Sequence, residues 1–221
     1  MAHRINNMLT YKLHDDPLNL AASKYIHGKL LDIGCGIKAY EKMMQPYVSE
    51  HIGLDHEASL HHNKNVDLVG TAYDIPSSNS FFDSVICTSV LEHLEDPEIA
   101  LKECYRVLKS GGYAIYTVPF IWPIHEEPRD FYRFSKYGLD YLFKKVGFEV
   151  IQLDALCGFW ATFGQMFVYN LYRYNRGPIR WFRIVDLVSV PLQGIFYILD
   201  RLDKSELITS LYITVARKNV Y

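Results

Sequence analysis

The sequence predicts an α/β fold built on a parallel, doubly wound sheet. Two observations carry that reading. Short apolar runs alternate with helical stretches from Lys29 to about Cys157, the pattern of repeated βαβ units. The turns between them place polar or tight-turn residues at five strand ends: Asp32–Gly36, Asp55–His56, Asp74–Ile75, Thr88–His93 and Pro119–Trp122. In such a sheet, ligands bind at the carboxyl ends of the strands, near the point where strand order reverses.

The elements follow in order. Strands are expected over Lys29–Ile33, His51–Leu54, Val66–Thr71, Ser84–Thr88, Tyr113–Val118 and Phe148–Leu153, each a short apolar run. Helices are expected over Leu18–His27, Tyr40–Gln45, Pro97–Leu108 and Tyr137–Val146. Asp96 is suited to capping the third of these, with Pro97 in its first turn. Ile99, Leu101, Cys104, Val107 and Leu108 recur there at roughly helical spacing, and Gly111-Gly112 is expected to stop the helix. A final strand is expected over Leu211–Ala216, and the stretch before it, Phe159–Ser210, breaks the alternation and reads as an insertion.

Composition narrows the class. With 221 residues, 49% apolar content and a formal net charge of −2, the chain reads as a globular protein without a global bias toward nucleic acid. The four cysteines, Cys35, Cys87, Cys104 and Cys157, form no C-x-x-C pair and read as reduced thiols. The N-terminus lacks an apolar core of signal-peptide length, so a cytoplasmic protein is expected. His51, His56, His61 and His62 have metal-like spacing, but no cysteine or paired acid completes a tetrahedral set. They read as residues of a strand end and an exposed loop, and no metal is expected.

The turn "LLDIGCGIKAY" fits two cofactors. Gly34, Gly36 and Ala39 satisfy the loose dinucleotide pattern G-x-G-x-x-G/A, with Asp55 downstream for a ribose. Asp32, however, sits two residues before the first glycine. A carboxylate there repels a pyrophosphate and suits a ligand with a positive centre. S-adenosylmethionine offers two, a sulfonium and an ammonium. Asp55 can accept both ribose hydroxyls, and Asp74 can accept from the adenine amino group while Ile75 covers the ring.

"LLDIGCG", "IGLDH", "AYDIPSSNSFFDSVICTSVLEHLEDP", "ALKECYRVLKSGGYAIYTVP" and "ITVARK" together resemble the class I S-adenosylmethionine-dependent methyltransferases, in the small-molecule, type 11-like group. The resemblance covers about Lys29 to Val150 plus the last strand. It implies a Rossmann-like sheet of seven strands, helices on both faces and an antiparallel last strand. It also implies that Asp32, Gly34 and Gly36 line the methionine end. Asp55 and His56 are then at the ribose, Asp74 and Ile75 at the adenine, and Thr88 beside the cofactor. Lys38 stands where many members carry a third glycine.

Candidates for the chemistry come from two turns. His93, after the fourth strand, and His125, after the fifth, are the candidate proton acceptors. The loop "PFIWPIHEEPRDFYRF", Pro119–Phe134, is rich in charge, with two prolines flanking Ile124–Glu127, and reads as an ordered cover for the acceptor. Glu126, Asp130 and Arg133 can bind hydroxyl or acidic groups there, and Trp122 and Tyr132 can stack on a ring. The alternative for the loop is a self-satisfied lid held by ion pairs among Glu127, Asp130, Arg129 and Arg133. Similar stretches occur in methyltransferases that resemble those of surface-polysaccharide pathways, which points to a glycan or glycolipid.

The insertion carries eleven aromatics between Phe159 and Asp200, and every charge from Arg173 to Arg183 is arginine. Neither Ala155–Tyr172 nor Leu187–Leu199 reads as a membrane span: the first is diluted by polar residues and glycines, the second too short. Three readings stand: a helical cap over the site, a homodimer interface, and a surface for peripheral membrane contact through anionic lipid.

The organisation expected is one methyltransferase domain: a cover segment at 1–28, a cofactor-binding core at 29–158, the aromatic insertion at 159–210 and the last strand at 211–221. The function expected is methyl transfer from S-adenosylmethionine to a small or lipid-linked acceptor, with a glycan or glycolipid oxygen favoured. The rivals are a non-catalytic S-adenosylmethionine-binding partner protein and an NAD-dependent, sugar-modifying oxidoreductase. Asp32 stands against the latter.

Overall fold

The computed structural model describes residues 5–57, 65–203 and 205–220. Seven strands form one sheet: β1 (Gly28–Ile33), β2 (Val48–Asp55), β3 (Leu68–Val69), β4 (Phe82–Thr88), β5 (Leu108–Pro119), β6 (Phe148–Leu156) and β7 (Leu211–Lys218). Their order is β3-β2-β1-β4-β5-β7-β6, with the last strand antiparallel and helices flanking the sheet. β1 pairs in parallel with both β2 and β4, and β4 with β5. The chain therefore steps outward from β1 on one side and from β4 on the other. The crevice between the carboxyl ends of β1 and β4 is the switch point.

Strand burial explains the apolar runs. Leu30, Leu31, Val85, Ile86, Ala114 and Ile115 are all fully buried, as expected for central strands covered on both faces. Each large aliphatic side chain there contributes roughly 1.5–3 kcal/mol by leaving water.

The helices are α1 (Met8–Tyr25), α2 (Glu41–Met44), α3 (Pro97–Val107), α4 (Lys136–Val146), α5 (Phe159–Tyr172), α6 (Gly177–Trp181) and α7 (Ile184–Leu202). Asp96 caps α3, its side chain accepting from Ile99 N–H at 3.3 Å, and Pro97 opens the helix. Leu101, Cys104 and Val107 face the core, whereas Ile99 is exposed.

Three expectations change. The helix expected to run to Leu108 and stop at Gly111-Gly112 ends at Val107, and β5 starts at once. Phe82 pairs with Leu108 and Ser84 with Tyr113, so Lys109–Gly112 bulge out of the ladder, with Gly111 at φ +79°. The strand expected over Val66–Thr71 is only Leu68–Val69. The first helix begins ten residues earlier than Leu18 and carries Pro17 inside it. Its early half is held by tertiary hydrogen bonds, which override the local cost of a proline.

The described residues divide into two compact units. One runs from Leu18 to Asp154 and resumes at Tyr212; the other combines the residues up to Pro17 with Ala155–Leu211. In the second unit, two buried glutamines bind the N-terminal segment. Gln165 accepts from the Thr10 hydroxyl at 2.7 Å and donates to Asn6 O at 2.8 Å. Gln193 accepts from Leu9 N–H at 3.0 Å and donates to Ile5 O at 2.9 Å. Gly164 lets α5 meet α7 closely, since a Cβ there would lie 2.5 Å from the Phe196 ring. Asp200 on α7 accepts from Ala161 N–H at 2.8 Å in the first turn of α5. No helix among the described residues is long and apolar enough to cross a membrane.

Candidate active site

The turn after β1 is fastened to β2. Gly34 N–H and Cys35 N–H both donate to Leu54 O, at 2.9 and 3.1 Å. Gly34 sits at φ +70°, and a Cβ on it would lie 2.4 Å from a methyl of Val90. That position thus needs glycine twice over, for its backbone and for close approach. The contact also puts the turn against the segment that follows β4.

Asp55, at the end of β2, accepts from Gly36 N–H through Oδ2 and from His56 N–H through Oδ1, both at 2.8 Å. Each oxygen keeps a lone pair for a further donor. Asp32 is buried, and its Oδ2 lies 3.0 Å from His51 Nε2. Burial raises its pKa and His51 opposes the rise. The carboxylate expected to face a cationic ligand therefore already has a partner. His51, read as part of a strand end and exposed loop, has its side chain packed inside β2 instead, with Nδ1 unpartnered. His61 and His62 lie outside the described residues.

Lys38 takes the left-handed conformation a glycine would favour, at φ +52°. Its side chain turns inward: Nζ donates to Asp67 Oδ2 at 2.5 Å and to His51 O at 3.0 Å. Asp67 also accepts from Gly53 N–H at 2.7 Å. This pair is the internal brace of the turn, and spacing alone gives no sign of it.

Asp74 is exposed and closes a small turn with Thr71, its N–H donating to the Thr71 hydroxyl at 3.2 Å. Ile75, expected to cover a ring, is instead fully buried, its N–H anchored on Glu103 Oε2 at 3.1 Å. Thr88 ends β4, opposite Thr117 in β5.

A second cluster follows β4 and β5. Leu91–His93 form one turn of 3-10 helix. Glu92 on it is 0% exposed, and neither carboxylate oxygen has a hydrogen-bond partner. Burial pushes its pKa up to about 8. Its Oε1 lies 3.7 Å from His93 Nε2 and 3.8 Å from His125 Nε2. The two imidazoles meet edge to face, with ring centroids 4.7 Å apart. His93 Nδ1 lies 2.5 Å from Arg129 O and His125 Nδ1 3.2 Å from Pro123 O. A carbonyl only accepts, so each Nδ1 carries hydrogen, and in the neutral ring Nε2 is bare. Burial and the neighbouring His93 lower the pKa of His125, favouring that neutral form.

Arg133 organises the loop around this cluster. It donates to Asp130 at 2.6 and 2.8 Å, to Pro123 O at 3.0 Å and to Trp122 O at 3.2 Å. It holds the Asp130 carboxyl well below the usual carboxylate range. Asp130 also accepts from His125 N–H at 2.9 Å. The Glu92 carbonyl receives Phe131 N–H and Tyr132 N–H at 3.0 and 3.2 Å, and the Tyr132 hydroxyl donates to Glu95 O at 2.9 Å. Asp130 and Arg133, candidates for binding the acceptor, are thus committed to each other and to the loop. Glu126 remains near the cluster, its Oε2 3.8 Å from His93 Nε2.

Residues 31–116 match the model of a methyltransferase domain family. A ubiquinone biosynthesis O-methyltransferase of Pseudomonas fluorescens (strain SBW25) is 27% identical over 152 residues, 62% of this chain and 60% of the relative. Residues 31–116 therefore form a methyltransferase domain, of the class I S-adenosylmethionine-dependent kind that the sequence resembles. The cofactor of that domain is S-adenosylmethionine, which sets the NAD reading aside. The match spans about 60% of the length of that curated relative. Solved structures agree on the fold. The [4+2]-cyclase SpnF superposes with a TM-score of 0.62 at 18% identity, covering 93% of this chain and 82% of that one. A phosphoethanolamine N-methyltransferase 2 of Haemonchus contortus, in complex with S-adenosyl-L-methionine, gives 0.56 at 18% identity, covering 92% and 53%. A cyclase among the neighbours shows that the fold alone does not fix the reaction.

The methyltransferase domain match ends before the loop, which starts at Pro119. The residue sequence reasoning missed is Glu92. It stands beside His93 in "VLEHLED", and its only signal was a carboxylate set among the apolar Val90, Leu91 and Leu94.

Proposed function

We propose that this methyltransferase transfers a methyl group to an oxygen of a small or lipid-linked molecule, with the acceptor hydroxyl received at the Glu92–His93–His125 cluster. The observation that carries the reading is the pair of Nε2 atoms turned toward one buried, unpartnered carboxylate. Bare imidazole nitrogens are suited to taking a hydroxyl proton near neutral pH. The 3-10 turn that bears Glu92 and His93 begins beside Val90, which rests on Gly34. The relative's name, O-methyltransferase, agrees with an oxygen acceptor.

Bound at the switch point, S-adenosylmethionine supplies a methyl group already activated on a sulfonium. The chain's own residues hold it and the acceptor. Asp55, with a lone pair left on each oxygen, suits the two ribose hydroxyls, and His56 adjoins it. Gly34 and Gly36 let the backbone come close to the methionine end, where the Asp32–His51 pair sets the local charge. Asp74 is exposed for the adenine amino group, with Ile75 as its buried anchor, and Thr88 at the end of β4 is the further residue proposed beside the cofactor. Trp122, Glu126 and Tyr132 are the further loop side chains proposed to meet the acceptor.

Titration calorimetry with S-adenosylhomocysteine tests the cofactor site. Asp55→Ala is expected to weaken binding at least tenfold and Asp32→Ala to weaken it as well. Unchanged affinity in both variants would sink the assignment. Methyl-labelled cofactor with cell extract and mass spectrometry then identifies the acceptor. Cofactor affinity without any labelled product favours the non-catalytic partner reading.

A second reading concerns where the acceptor is met. Trp181, Phe182, Leu187, Ile198 and Leu202 are largely exposed on α6 and α7, next to Arg173, Arg176 and Arg180. Apolar residues rimmed by arginine suit an anionic lipid surface, and so a lipid-linked acceptor. Flotation with anionic liposomes is expected to carry the protein upward. Protein left in solution as a dimer supports the interface reading instead.

A further inference from the structure

We propose that Glu92, His93 and His125 form a binding site for a first-row divalent cation, with Zn2+ the ion that best suits the donor set. One donor atom from each residue lies within 4.8 Å of the other two. Two imidazole nitrogens and one carboxylate are a recurrent zinc set, with a fourth position left open to water or another oxygen.

Three features make this more than a cluster of polar side chains. The first is the unpartnered state of Glu92. Both of its oxygens are buried without a hydrogen bond, an arrangement that costs free energy unless something electropositive lies among them. The second is the direction of the rings. His93 and His125 each turn Nδ1 to a backbone carbonyl, of Arg129 and Pro123. Nε2 then presents a lone pair, not a hydrogen, to Glu92, so neutral rings give no hydrogen bond to its ionised form, and only a proton or a cation held among the three can satisfy them. A ring whose second nitrogen bonds a carbonyl or carboxylate is how proteins orient histidine toward a metal. Asp130 Oδ2, 3.5 Å from His125 Nδ1, adds a carboxylate behind that ring. Arg133 Nη2 is also 3.5 Å from His125 Nδ1, but it is engaged by Asp130 and Pro123 O. The third is scale. Ligands around a tetrahedral zinc ion stand about 3.4 Å apart for bond lengths near 2.1 Å. The separations of 3.7 and 3.8 Å from Glu92 Oε1 to the two Nε2 atoms need to close by only a few tenths of an ångström.

The donors also come from two chain segments with separate supports. Glu92 and His93 sit on a 3-10 turn, and His125 on the loop that Arg133 braces. A cation would join them. The open fourth position would suit the acceptor hydroxyl; with both Nε2 lone pairs on the cation, the imidazoles no longer take its proton, which a bound cation makes easier to release to water instead. That role rests on the acceptor site proposed above, whereas cation binding does not.

Cobalt serves as the probe because tetrahedral Co2+ absorbs visible light and Zn2+ does not. The whole chain is treated with a chelator, dialysed and titrated with Co2+, then with Zn2+ in competition. One equivalent of Co2+ is expected to produce tetrahedral d–d absorption that Zn2+ abolishes. His125→Ala, at a half-buried loop position, and Glu92→Gln are each expected to weaken binding at least tenfold. Calorimetry with S-adenosylhomocysteine on the same samples reports whether each variant is folded. If Glu92→Gln fails to fold, His125→Ala decides alone. Absence of d–d absorption in the wild-type protein, or equal Co2+ affinity in a folded variant, overturns the site. Such a result alongside intact S-adenosylhomocysteine binding leaves the methyltransferase reading standing. Co2+ binding without S-adenosylhomocysteine binding does the reverse.

Discussion

The turn after β1 and the loop after β5 are both irregular backbone at carboxyl ends of the sheet, yet they are held in opposite ways. The turn is fixed by backbone N–H groups: Gly34 and Cys35 on Leu54 O, and Gly36 on Asp55. The loop is fixed by one side chain, Arg133, which gathers Asp130 and the carbonyls of Trp122 and Pro123. A backbone-held turn leaves a trace in sequence, because it demands glycine where φ is positive. A side-chain-held loop leaves only a list of charged residues, and the list does not say which of them face inward.

Arg133→Ala breaks the comparison most sharply. It strips the buried Asp130 carboxylate of its cation and removes hydrogen bonds to several loop carbonyls. A loss of about 3 kcal/mol in urea unfolding is expected. Affinity for S-adenosylhomocysteine is expected to stay near wild type, since the turn does not depend on this residue. A loss below about 1 kcal/mol would mean that the loop is held by other contacts.

Gly34→Ala probes the other side. The new methyl meets Val90 on a backbone at φ +70°. About 2 kcal/mol of destabilisation is expected, and here S-adenosylhomocysteine binding should weaken too. Binding that survives would separate the turn from the cofactor.

The smallest effect concerns the brace beneath the turn. Burial works against ionised Asp67, but Lys38 and the Gly53 N–H hold its carboxyl below the ordinary value. A depressed folded value gives stability that is fully present above the unfolded aspartate value of about 3.9 and is lost as pH falls through the folded one. Urea midpoints for wild type and Asp67→Asn should therefore differ at pH 6 and converge in the acid range below about 4. A gap that is constant with pH would remove Asp67 from the acid response.

This contrast also explains what the sequence disclosed. The central strands, the Asp96–Pro97 start of α3 and the Gly34–Asp55 turn were legible because each depends on neighbours close in the chain or on a dihedral only glycine favours. The glycines at 111 and 112 misled for a related reason. They read as a helix stop, but tertiary pairing of Leu108 with Phe82 had already ended the helix, and the glycines serve a bulge. Lys38 could not be placed, because its partner Asp67 is far along the chain. Glu92 was missed because its importance lies in what surrounds it: two rings from separate turns and no hydrogen-bond donor. Asp130 and Arg133 read as candidates for binding the acceptor, with ion pairs inside the loop as the alternative, and the geometry ties the two to each other.

The glutamine contacts on the N-terminal segment have a consequence in time. Leu9 and Ile5 are bonded to a residue more than 180 positions later, Gln193. On a ribosome the first turn of α1 therefore emerges long before its anchors exist. Loop closure over such a span is slow compared with local helix formation. This segment must wait for these bonds until α7 has been made, so it is among the last to reach its final contacts, since its anchors follow it by more than 180 positions.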